Sequence, residues 1–75
     1  MTVNELDAFL IEKKVPTELY SLDGDLPNEA YCIEKTSSGW HVYYSERGKK
    51  NTIGRFGSEE AAVRCFLGAI PKEYR

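Results

Sequence analysis

Long apolar runs are missing from this 75-residue chain. A membrane-spanning helix needs roughly 20 consecutive apolar residues, and no stretch approaches that, so no membrane partner is expected. The first residues hold no basic segment followed by an apolar one. No secretory signal is therefore read, and the cytoplasm is the simplest location. Cysteine is scarce: Cys32 and Cys65 are the only two, far apart and each in an apolar context. Without a secretion signal they read as buried free thiols, not as a disulfide. His41 is the only histidine. Two cysteines and one histidine fall short of the four ligands of a structural zinc site, so neither a metal nor another cofactor is expected.

Catalytic signatures are equally thin. A histidine general base needs an orienting partner and a proton to abstract. His41, between Trp40 and Val42, has neither announced by a sequence motif. Ser21 and Ser45 do not sit in a nucleophile elbow. Gly54-Arg55-Phe56-Gly57 lacks the lysine and the spacing of a phosphate-binding loop. Asp23-Gly24-Asp25 lacks the further oxygen ligands of a calcium loop and reads as a turn in which the aspartates accept local backbone hydrogen bonds. The chain is expected to catalyse no reaction and to bind no small-molecule substrate.

What the chain does have is a run of aromatic and β-branched residues from Tyr31 to Phe56, broken twice by polar stretches containing Gly39 and Gly48. Such runs suit a pleated surface, and the glycines allow the positive φ of tight connections. The pattern predicts a three-stranded antiparallel meander with strands Ala30–Lys35, Trp40–Ser45 and Thr52–Phe56. Alternation puts Tyr31 with Ile33, and Trp40 with Val42 and Tyr44. Ile33, Val42 and Ile53 are expected to face the core. Glu34, His41 and Tyr43 then line the other face. A slip of one residue would invert this assignment.

A helix is predicted on each side of the meander. Thr2-Val3-Asn4-Glu5 has capping-box spacing. Val3, Leu6, Phe9 and Leu10 make an apolar stripe, and Val15-Pro16 ends the helix. The reading is a helix from Val3 to Lys14. Leu19-Tyr20-Ser21-Leu22 reads as a short strand or an extended packed segment. Ser58 is a natural N-cap, with Glu59 and Glu60 in the first turn. Ala62, Phe66, Ala69 and Ile70 form the second stripe, beside Cys65, before Pro71. The fold class is thus α+β: one small domain over residues 1–75, in α-β-β-β-α order. Three strands need such helices against one face to be stable.

The net charge of −2 hides an asymmetry. Residues 1–34 hold eight acidic residues against two lysines; residues 35–75 hold eight basic residues against four acidic. Such a dipolar surface can steer an oppositely charged partner. Tyr20, Tyr31, Trp40, Tyr43 and Tyr44 are many large aromatics for this length, and those left outside suit a protein interface. Asp23, Asp25, Glu29, Glu34, His41, Tyr43 and Glu46 are the residues expected to bind a partner. The alternative is a small RNA- or DNA-binding module using Arg47, Lys49, Lys50 and Arg55, since α-β-β-β-α is also the layout of double-stranded RNA-binding domains. The acidic overall balance and the Ser58-Glu59-Glu60 start of the second helix weigh against it.

Several stretches carry a family resemblance. They are Leu19-Tyr20-Ser21-Leu22, the run from Leu26-Pro27-Asn28-Glu29-Ala30-Tyr31-Cys32 to Lys35, the run Trp40-His41-Val42-Tyr43-Tyr44-Ser45-Glu46-Arg47-Gly48, Phe56, and Ser58-Glu59-Glu60-Ala61-Ala62. Together they resemble the small immunity proteins of bacterial polymorphic and contact-dependent growth inhibition toxin systems. The resemblance implies a cytoplasmic protein that binds one cognate secreted toxin domain, many such toxins being nucleases, and neutralises it. It assigns no inhibitory residue.

Overall fold

The computed structural model describes residues 1–23 and 29–74. Among these are helix α1 (Val3–Glu12), strands β1 (Tyr20–Ser21), β2 (Ala30–Thr36), β3 (Gly39–Glu46) and β4 (Lys49–Phe56), and helix α2 (Glu59–Ala69). Single 3₁₀ turns lie at Thr17–Leu19 and Lys72–Tyr74. No helix among the described residues is long and apolar enough to cross a membrane. The turn read at Asp23-Gly24-Asp25 falls mostly outside the described residues.

Helix α1 begins at the predicted capping box. The Thr2 hydroxyl accepts from the Glu5 amide at 3.2 Å, and the Glu5 carboxylate accepts from the Thr2 amide at 2.8 Å. These bonds to Thr2 hold the Glu5 carboxyl below its ordinary value. The helix stops at Glu12, short of the predicted Lys14. Lys14 takes φ 58°, its amide bonds to Ile11 O, and the Val15 amide bonds to Leu10 O, each at 3.0 Å. That is a Schellman closure with a lysine where glycine is usual. The following residue, Val15, is buried against the core. Proline therefore follows the stop; the left-handed Lys14 makes it.

The sheet has four strands in the order β1-β2-β3-β4, where the sequence reading had three. Strand β1 is the added one. It runs parallel to β2, with Tyr20 opposite Tyr31 and Ser21 opposite Cys32. The remaining pairs are antiparallel, as predicted. Strand β4 starts at Lys49, earlier than the predicted Thr52, because the hairpin turn is only two residues long. Arg47 and Gly48 carry φ of 51° and 79°, the paired positive angles of a type I′ turn.

The helices cover one face of the sheet, and α2 packs across β2, β3 and β4. Leu6, Leu10, Val15, Ile33, Val42, Ala62, Val63, Phe66 and Ile70 form the buried core between the layers. Tyr31 and Tyr44 pair across β2 and β3 at its margin, with ring centroids 4.9 Å apart. Val63 belongs to the apolar stripe of α2, which the sequence reading built without it.

Ile53 departs from expectation: it does not face the core and is 42% exposed. Val42 pairs with Gly54 while Tyr43 pairs with Thr52, so Ile53 is the extra residue of a β-bulge. A bulge breaks the period-two alternation on which the core assignment rested. The place opposite Val42 goes to Gly54 instead, and the Phe56 ring lies over it. A Cβ on Gly54 would come within 2.8 Å of that ring.

Candidate functional site

Alternation in β2 and β3 turns Cys32 and Glu34, with His41, Tyr43 and Ser45, away from the helices. Ala30, Cys32 and Tyr43 form a second buried cluster there. Burial raises the Cys32 thiol, against hydrogen bonds from the Tyr43 side chain and the Ser45 backbone that lower it. Cys32 and Cys65 form no disulfide; Cys32 is buried and Cys65 half-buried.

The β4 side of this face carries a connected polar cluster. Glu34 lies directly opposite His41, and Tyr43 directly opposite Thr52. Glu34 Oε2 is 3.0 Å from His41 Nδ1, and His41 Nε2 is 2.9 Å from Thr52 Oγ1. Lys50 Nζ straddles the same carboxylate, 3.2 Å from Oε1 and 3.0 Å from Oε2. Its ammonium also stands 5.0 Å from the centre of the Tyr43 ring, while the His41 and Tyr43 rings are 4.8 Å apart. Burial alone would raise the Glu34 carboxyl. The hydrogen bonds and charges of His41 and Lys50 outweigh it and hold the group below its ordinary value.

That ionised carboxylate fixes the imidazole. It has no proton to give, so the Nδ1–H must donate to it. In the neutral ring Nε2 then carries the lone pair and accepts from the Thr52 hydroxyl. His41 is only 3% exposed, and a buried ring with both nitrogens bonded is locked in orientation. Thr52 is exposed at the outer end of this chain of bonds.

The structure gathers some of the expected partner-binding residues and scatters others. Glu34, His41 and Tyr43 share the predicted face. Tyr43, however, is fully buried, so it supports that face and offers no contact surface. Glu46 stands at the hairpin end opposite Lys49. Glu29 is exposed just before β2, at φ 52°. Asp23 is exposed, its amide 3.4 Å from Ser21 Oγ. Asp25 lies outside the described residues. Thr52 was missed altogether, and Lys50 was read as part of a basic tip. The Arg47-Gly48 turn was the available signal: placed there, it brings Ser45 opposite Lys50 and Tyr43 opposite Thr52.

A second feature is an open groove of about 460 Å³ between α1 and β1, lined by Val3, Asp7, Thr17, Tyr20, Leu22 and Asp23 among others. Burial, then the nearby charge of Asp7, pushes the Tyr20 hydroxyl above its ordinary value. The groove is thus acidic with an aromatic wall.

No known protein family, characterised protein or solved structure matches this chain.

Proposed function

We propose that this chain is an immunity protein, which binds a cognate secreted toxin domain in the cytoplasm and blocks it by occupying its surface. The observation that carries the reading is the groove between α1 and β1, which Asp7, Tyr20 and Asp23 line together. Two carboxylates beside an aromatic ring suit a lysine or arginine side chain of a basic partner, such as a nuclease surface evolved to meet phosphate. Glu29, also exposed, adds to the acidic half of the sequence. The inhibitor needs no cofactor, because occlusion is a matter of contact area. A standard interface buries about 1,600 Å² in total, about 800 Å² on each partner, which is roughly a sixth of the 4786 Å² that this chain exposes.

The test begins with gene order. A neighbouring gene for a large secreted protein with a variable C-terminal domain supplies the partner for co-expression. Protection of growth and co-purification are expected. Charge reversal of Asp7 and Asp23 to lysine should slow association most at low salt. Full protection by the reversed variant would place the inhibitory face elsewhere, and no protection by the wild type would remove the reading.

A second reading uses the basic residues of the hairpin and β4 for nucleic acid. Arg47 and Lys49 are exposed at the turn, and Arg55 is exposed on β4, although Lys50 is engaged by Glu34. Binding would weaken steeply with salt. No shift of duplex or single-stranded probes at low salt would dismiss it.

A further inference from the structure

We infer that Thr52 is an activated hydroxyl that accepts an acyl group from activated esters or thioesters, with His41 as its general base and Glu34 as the group that sets the base's tautomer. This goes beyond toxin binding and does not depend on it. The parts are those of nucleophilic catalysis: a hydroxyl bonded to an imidazole, whose far nitrogen is held by a carboxylate. Thr52 Oγ1 to His41 Nε2 is 2.9 Å, and His41 Nδ1 to Glu34 Oε2 is 3.0 Å. Both fall within the reach that proton transfer requires.

Accessibility and charge support the same assignment. The base is 3% exposed, so little water competes for Nε2. Thr52, the residue whose hydroxyl it bonds, is exposed, so a substrate can approach it from solvent. Lys50 lies two residues before Thr52 on the same face, and Arg55 lies opposite His41 on that face. Lys50 is paired with Glu34, which leaves Arg55 as the cation of that face able to favour the negative oxygen that develops when a carbonyl is attacked.

The step balances without an oxidant or reductant. Thr52 Oγ1 forms a bond to the acyl carbon while its proton passes to His41 Nε2. The bond from that carbon to the leaving group breaks, the leaving group departs as an anion, and the imidazolium then releases the proton to solvent. The product is an acyl ester on Thr52.

The full chain incubated with p-nitrophenyl acetate tests this. Nitrophenolate release should be accompanied by one acetyl group, mapped to Thr52 by peptide mass spectrometry. Thr52→Val, a near-isostere at an exposed position, should abolish that label, and Thr52→Ser should keep it. His41→Gln should slow labelling about 100-fold or more, the usual worth of a positioned general base. Glu34→Gln should slow it as well and release the ring from its single tautomer, seen in the ring nitrogen shifts. Acetyl groups spread over lysines with Thr52 unlabelled would overturn the inference. So would labelling of Thr52 at the same rate in a folded His41→Gln variant.

Discussion

The amide of Val3 donates to the carboxylate of Glu59 at 2.8 Å, joining the first turn of α1 to the first turn of α2 across most of the chain. An N-terminal amide of one helix is satisfied by an acidic residue that also favours the N-terminus of its own helix. Replacing Glu59 with alanine removes both roles and should cost about 1–2 kcal/mol in urea denaturation. Glu59→Gln keeps an acceptor and should cost less. Equal losses for the two would mean the bond to Val3 contributes nothing.

Lys14 holds a backbone conformation that favours glycine. A side chain in the left-handed region costs about 1–2 kcal/mol, part of which glycine gives back through its freer unfolded chain. Lys14→Gly should therefore raise stability by about 0.5–1 kcal/mol. A decrease in the denaturation midpoint would show that Lys14 makes a contribution outweighing its backbone strain.

Gly54 and Phe56 are coupled through the bulge. An alanine at position 54 meets the Phe56 ring at 2.8 Å, and displacing the ring should cost about 1–3 kcal/mol. Combining Gly54→Ala with Phe56→Leu should lose less than the sum of the two single changes. Simple additivity would show that the ring moves aside freely.

The stability supplied by Glu34 should depend on pH in a defined direction. Its carboxyl titrates below the ordinary value of 4.5 in the folded protein. Its contribution is then complete above the ordinary value and lost as pH falls through the folded one. Glu34→Gln should destabilise by about 1 kcal/mol near neutrality, a modest figure for a partly exposed charge-assisted pair. The gap between the variant and the wild type should narrow as pH falls below the ordinary value and close once pH is below the folded one. A gap that stays constant down to pH 3 would contradict the ionised pairing.

What the sequence made legible was local. Thr2 and Glu5 specify the start of α1 by their spacing alone, and Ser58 does the same for α2, where its side chain accepts from the Ala61 amide. The meander was legible because Gly39 and Gly48 separate aromatic runs. Gly39 takes φ 143°, and a Cβ there would collide with the Phe56 carbonyl oxygen. What stayed hidden was non-local. Strand β1 is two residues long, and its parallel partner is set by tertiary packing. Ile53 was misplaced because a bulge cannot be read from alternation, which is the only rule that had placed it. The Glu34–His41–Thr52 chain crosses three strands, so its existence depends on a register fixed by the Arg47-Gly48 turn.

His41 is the only histidine, so nitrogen NMR of the imidazole reads this site without overlap. At a pH where the ring is neutral, Nδ1 should be protonated towards Glu34 and Nε2 should be the bare acceptor of the Thr52 hydroxyl. The opposite tautomer, or a rapid average of the two, would contradict the arrangement from which the reactivity of Thr52 is drawn.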